Sequence, residues 1–213
     1  MQTILVANPK GGSGKTTLAT NVAGWLAGRR HAVALADFDP QQSATLWLAR
    51  RPPLFPRIGH WDPQTRKSNL ERPPQWLVAD SPAAMHGEVL RDTIRRADLL
   101  LVPVSPSVYD MAAAERFLAS IAEYKAVKQG ALPIGLVAMR VDSRTHSAAE
   151  LDAFLRAFDY PIVTHLRDTQ TYVYCARDGA SVFDLPRSRA EQDWDQWRPL
   201  TRWITKQMMA KAA

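Results

Sequence analysis

Short apolar runs alternate along this chain with longer stretches whose apolar residues recur every three or four positions. Residues 1–8 form a short apolar run ending in a turn, the pattern of a buried strand. Residues 15–29 then place Leu18, Val22, Trp25 and Leu26 on one face, which predicts a helix. Further apolar runs predict strands at 31–37, 76–80, 98–104, 132–139 and 161–165. Between and after them, 111–128 reads as a helix with Phe117, Leu118, Ile121 and Tyr124 at core spacing. The segment 147–158 reads as a helix capped by Ser147, and 191–211 as a final helix. Strands alternating with helices imply crossover units, so the expected fold is α/β: a doubly wound, mostly parallel sheet with helices on both faces. One stretch resists this reading. Residues 50–74 hold six prolines and six Lys or Arg with little periodicity, and are expected to be a long loop or excursion. No internal repeat is visible.

Composition narrows the class without changing that picture. At 213 residues, with 46% hydrophobic and 23% charged, the chain is of a size and kind to form one globular domain with a sizeable core. No apolar run reaches membrane-spanning length, and no signal peptide is recognisable. The single cysteine, Cys175, excludes a disulfide or a cysteine-based metal cluster within one chain, and the five histidines are scattered. Together these features point to the cytoplasm. The net charge of +6 is compatible with a nucleic-acid partner without requiring one.

The chemistry concentrates at the first strand-to-helix junction, Pro9-Lys10-Gly11-Gly12-Ser13-Gly14-Lys15-Thr16-Thr17. Glycines allow the backbone to curl so that successive N–H groups point at phosphate oxygens, and the following helix N-terminus adds positive potential. Lys15 is placed to reach β- and γ-phosphates, and the Thr16 hydroxyl to ligate Mg²⁺. The usual phosphate-loop pattern has a glycine where this chain has Pro9. Two acidic motifs close predicted strands, Asp37-Phe38-Asp39-Pro40-Gln41 and Asp80-Ser81-Pro82. In an open parallel sheet the C-terminal strand ends line the ligand crevice, so these carboxylates are expected to face the loop.

Residues 8–17 (NPKGGSGKTT), 37–41 and 80–82, with residues 97–106 (ADLLLVPVSP), resemble the ParA proteins, ATPases that partition plasmids, chromosomes and other bacterial cargo and that share a deviant Walker A loop with MinD. The segments 142–145 and 178–184 resemble later parts of the same pattern, and the likeness is nearest to short plasmid ParA proteins of the ParF kind. It implies one P-loop ATPase domain over residues 1–213, lacking the N-terminal helix-turn-helix domain of longer members. It implies ATP and Mg²⁺ as ligands. Lys10 matches the signature lysine that reaches a partner subunit's nucleotide, Lys15 and Thr16 the phosphate lysine and Mg²⁺ ligand, Asp39 the first switch aspartate, and Asp80 the Walker B aspartate. Lys10, Lys15 and Asp39 are thus the expected catalytic residues, and Thr16, Asp39 and Asp80 the metal set. Lys10, Gly11, Gly12, Ser13, Gly14, Lys15, Thr16 and Thr17 would hold the phosphates. Where the family often contacts adenine through an asparagine, this chain has Met139 and Arg140.

The resemblance further implies an ATP-dependent homodimer that binds DNA without sequence preference, associates with the nucleoid, and hydrolyses ATP slowly until a ParB-type or adaptor protein stimulates it. Candidate DNA contacts are Arg167, Arg187, Arg189 and the stripe Arg198, Arg202, Lys206, four residues apart on the last helix. Trp197, Leu200, Ile204 and Met208 form an opposite apolar stripe expected to cover the sheet. That helix leaves open a MinD-like membrane association, the less favoured alternative. A metabolic P-loop kinase or ligase is the other, although no acceptor-binding residues are evident.

Overall fold

A computed structural model describes residues 1–212. One eight-stranded sheet runs through it in the order β4-β3-β2-β5-β1-β6-β7-β8. The six expected strands are all present, as β1 (Gln2–Val6), β2 (Val33–Asp37), β5 (Trp76–Asp80), β6 (Leu99–Val104), β7 (Ile134–Ala138) and β8 (Ile162–His165). All of them pair in parallel with their neighbours. Their continuous apolar composition follows from burial on both faces. Alternate side chains separate into two cores. Ile4 and Val6 join α1 (Lys15–Gly28), α2 (Ser43–Arg50), α7 (Gln170–Asp178) and α8 (Arg187–Ala212) on one face. Leu5 and Ala7 join α3 (Gly87–Arg96), α4 (Val108–Ala122) and α6 (His146–Leu155) on the other.

The segment 50–74 is not a loop throughout. It contains β3 (Gly59–Asp62), which pairs in parallel with β2, and β4 (Lys67–Ser68), antiparallel at the sheet edge. The prolines fall outside these strands, and β3 is a short GHWD run without apolar alternation, which is why the pattern concealed it. The buried pair Arg51–Asp184 anchors the start of this segment, the two side chains only 4% and 3% exposed. Arg51 donates to both Asp184 oxygens at 2.9 Å and to the Gly179 carbonyl at 3.1 Å.

Three helices, α2, α3 and α7, are not expected from the sequence, and other departures concern helix ends. The helix expected over 111–128 starts earlier, at Val108, and breaks where Tyr124 turns extended; residues Lys125–Lys128 form a separate short α5. The cap of α6 is Thr145 rather than Ser147, its hydroxyl accepting from the Ala148 N–H at 3.2 Å. In α8, Ala190 has non-helical angles, so the uninterrupted helix begins at Glu191 as the sequence suggests. Trp197, Leu200 and Ile204 are fully buried and Met208 nearly so, against the sheet.

Topology fixes the site. From β1 the chain crosses one face through α1 to β2, and from β5 it crosses the opposite face through α3 to β6. The winding reverses around β1, and ligands bind at the C-terminal strand ends beside such a reversal. Parallel register aligns Val6 with Asp80 and Asp80 with Asp37 at that edge.

Candidate functional site

The loop after β1 is set by its buried neighbours. Asn8, 1% exposed, donates through Nδ2 to the Pro103 carbonyl at 2.7 Å, and its Oδ1 accepts from the Lys10 N–H at 2.9 Å. The Pro9 carbonyl accepts from Ala84 N–H at 2.8 Å, so the loop is tied to the segment following β5. Gly12 and Gly14 take left-handed angles, φ 79° and 93°. A Cβ on Gly14 would come within 2.8 Å of Met139 Cε, so a side chain there is strained by its left-handed backbone and must also displace the Met139 methyl. Gly14 is also the N-cap of α1, directing the first helical N–H groups into the loop.

Lys15 is buried, and its Nζ donates to the Lys10 carbonyl at 2.9 Å across the loop mouth. Burial lowers its pKa, against the pull of Asp80, Asp39 and Asp110. Thr16 Oγ1 donates to Asp80 Oδ2 at 2.7 Å. Asp80 is 1% exposed, and its other oxygen is buried with no hydrogen-bond partner. Desolvation pushes its pKa up to about 7, with Asp37 and Asp39 adding to the rise and the Thr16 hydroxyl and Lys15 opposing it. An orphaned carboxylate oxygen beside a threonine hydroxyl and two further acids suits a divalent cation. Thr16 and Asp80 would hold it, with Asp39 close by.

Asp39 joins two loops. Its Oδ1 accepts from Gln41 N–H at 2.9 Å, and its Oδ2 from Ala83 N–H, after β5, at 3.3 Å. Asp37, expected to face the loop with the others, has a different task. Its Oδ2 accepts from Thr45 N–H at 2.9 Å in the first turn of α2, and its Oδ1 accepts from Asp39 N–H at 3.0 Å. It shapes the Asp39 turn and caps a helix.

A cleft of about 530 Å³ opens over the loop, lined among others by Gly12, Lys15, Thr16, Thr17, Asp39 and Arg140. The structure thus gathers the loop, Asp39 and Arg140 around one space. Lys10 is not part of that lining. Met139, paired with Arg140 in the sequence reading, is buried and packs beneath Gly14 instead of facing the cleft. Ser13 is fully buried under the loop. Sequence reasoning gave Asn8 no role beyond its place in the motif 8–17, and overlooked Asp110. Asp110, 8% exposed in the first turn of α4, acts on Lys15 from the β6 side. For Asn8 the available signal was a polar residue placed where an apolar strand ends; Asp110, inside α4, gave none.

The basic residues proposed for DNA divide into groups. Arg167 is committed to the protein: it bonds both oxygens of the fully buried Asp193, at 2.8 and 3.2 Å, and the Gln192 side chain. Arg187 and Arg198 share Asp195, at 3.5 and 2.6 Å. Arg189, Arg202 and Lys206 are exposed.

A family model described as the CobQ/CobB/MinD/ParA nucleotide binding domain matches residues 4–182. The chain is 28% identical over 201 residues to the maintenance of carboxysome distribution protein A of Halothiobacillus neapolitanus, covering 90% of this chain and 91% of that protein. It is 30% identical over 188 residues to the chromosome-partitioning ATPase Soj of Thermus thermophilus, covering 72% and 75% of the two. A solved plasmid partition protein of Borrelia burgdorferi, bound to AMPPNP, shares the fold with a TM-score of 0.72 at 15% identity, over 94% of this chain and 98% of that one.

Proposed function

Because the chain belongs to the CobQ/CobB/MinD/ParA nucleotide-binding family, we propose that it is a ParA-type positioning ATPase that dimerises on ATP, holds DNA without sequence preference, and releases it when a partner protein stimulates hydrolysis. One observation carries the dimer reading. The two lysines of the loop occupy different places: Lys15 is buried across the loop mouth, while Lys10 is only half-buried and does not line its own chain's cleft. A cation with no task in its own site is available to the nucleotide of a second copy.

In this reading the backbone N–H groups of residues 11–16 and the Lys15 ammonium bind the phosphates. Mg²⁺, when bound, neutralises charge developing on the β- and γ-phosphates. Asp39 orients the attacking water, held in place by the Gln41 and Ala83 N–H groups. Ala83 belongs to the segment after β5, so movement of that segment moves Asp39. A partner that fixes it in place would accelerate turnover, and without one hydrolysis is slow. Arg187, Arg189, Arg198, Arg202 and Lys206 supply the cations for DNA phosphates. The apolar side of α8 is occupied by the sheet, which favours this over a membrane-lying helix.

The test uses Lys10→Ala, Lys15→Ala and Asp39→Ala, measuring ATP turnover, dimerisation and retention on DNA. Lys15→Ala is expected to lose nucleotide binding. Asp39→Ala is expected to dimerise while turnover falls by about 10-fold or more. Lys10→Ala is expected to bind ATP but remain monomeric and leave DNA. A Lys10→Ala protein that dimerises on ATP and turns over at the wild-type rate sinks the proposal.

A further inference from the structure

At the end of α1 remote from the phosphate loop, about 20 Å along a 14-residue helix, the surface opens into a second cavity. It encloses about 410 Å³ between the last turn of α1, the single turn Val182–Asp184, and the first half of α8. Three aromatic residues, Trp25, Phe183 and Trp194, and three arginines, Arg29, Arg187 and Arg198, make up most of its lining, which contains no acidic residue.

The cations are poorly neutralised. Arg187 and Arg198 compete for the one carboxylate of Asp195, which lies outside the lining. Arg29 has its guanidinium over the Trp25 ring, 5.3 Å from the centroid, and no ion-pair partner among the described residues. Three positive charges against one negative leave an excess of two. The aromatic walls are fixed: Phe183 and Trp194 meet edge to face at 5.1 Å, and Trp194 Nε1 donates to the Val182 carbonyl at 2.9 Å. Exposed Arg202 and Lys206 continue the positive track from Arg198 at successive turns of α8.

Guanidinium groups beside apolar walls bind phosphate oxygens strongly, since planar donors match phosphate geometry and carry little hydration. Flat aromatic walls accept a sugar or base next to that phosphate. We propose that this cavity is a phosphate-binding subsite for the DNA backbone, with Arg29 as its central cation. It rests on the DNA-binding reading above and adds to it the C-cap residue of α1, the helix whose other end carries Lys15 and Thr16. A free phosphate compound shares this chemistry, and the experiment separates the two sources.

The full chain with ATP is titrated with random-sequence duplex DNA across a salt series, comparing wild type, Arg29→Ala, Arg29→Lys and, as a remote surface control, Arg66→Ala. Melting temperature reports folding of each variant. Arg29→Ala is expected to weaken DNA binding about 5- to 10-fold and to lower the slope of log affinity against log salt by about one. Arg29→Lys should restore the slope and part of the affinity, and Arg66→Ala should match wild type. Equal binding by Arg29→Ala and wild type overturns the subsite while leaving the DNA reading standing. Absence of DNA binding by wild type at every salt overturns both. In a second arm, inorganic phosphate and a mononucleotide are titrated against tryptophan fluorescence. Micromolar binding by either that Arg29→Ala abolishes, with duplex affinity unchanged, would assign the cavity to a free ligand and overturn the backbone proposal.

Discussion

Asp80 illustrates how a single residue can be costly to the fold and still be kept. It lies at the end of a central strand, 1% exposed, with one oxygen unpartnered. Its folded pKa of about 7 stands above the ordinary carboxylate value of 3.8, chiefly through desolvation. The folded chain therefore binds more protons than the unfolded chain between those values. Stability of the nucleotide-free protein falls as pH rises from about 4 to about 7 and stays low above that. Replacing the acid with a neutral isostere should remove this dependence. At about 1.4 kcal/mol per pKa unit, Asp80→Asn should gain about 4 kcal/mol over wild type at pH 8 relative to pH 4. Urea unfolding of both proteins at the two pH values, without nucleotide or Mg²⁺, measures it. A stability difference that does not change with pH would show that Asp80 is not the group responsible. Under the proposed function the same charge would serve a cation site, a conflict between fold and function that is usual where function resides.

At the scale of elements, the parts that read clearly in the sequence are those whose burial leaves a pattern. Buried parallel strands give continuous apolar runs, and α1 and α8 each present a full apolar stripe. The missed helices bury little. In α3 only Leu90 and Ile94 are buried, four residues apart, in α2 only Ala44 and Trp47, and in α7 only Cys175, so none carries a buried stripe longer than two residues. The short strand β3, one in from the sheet edge, is specified by pairing with β2 instead of by its own residues. In the site, the residues contiguous in the loop were legible from spacing, while Asn8 and Asp110 acquire their roles only when β6 is laid beside β1. The join between Arg51 and residues 179–184 was equally hidden, since its partners are 133 positions apart. That join holds α2 and the edge strands to the main core. Gly179, at φ 64°, makes room for it, because a Cβ there would overlap the Arg51 backbone. Removing one member of a buried pair strands the other charge, so Arg51→Ala should cost about 3–5 kcal/mol, and replacing both Arg51 and Asp184 with apolar residues much less. Denaturant titration of single and double variants decides this. A double variant no more stable than Arg51→Ala would mean that the arginine stem and its contacts with Trp47 and Phe55, and not the charge, are what matter.

For the whole molecule, the parts converge on the C-terminal ends of the central strands. The phosphate loop, Thr16, Asp80 and Asp39 line or border a single cleft, yet Lys10 stands outside it. If the second copy completes the site, then ATP binding and association are one equilibrium, and folding stability inherits its concentration dependence. A ligand that binds a monomer raises the melting temperature by an amount independent of protein concentration, whereas a ligand that also joins two chains raises it further as the chains become more concentrated. Wild type with a non-hydrolysable ATP analogue and Mg²⁺ should therefore show a melting temperature that climbs by several degrees over a hundredfold rise in protein concentration. The nucleotide-free protein should show none, and Lys10→Ala should keep the nucleotide-induced rise while losing its concentration dependence. Scanning calorimetry across that range reads all three. A wild-type shift that is flat in concentration would place the nucleotide within a single chain and leave Lys10 without the role its position suggests.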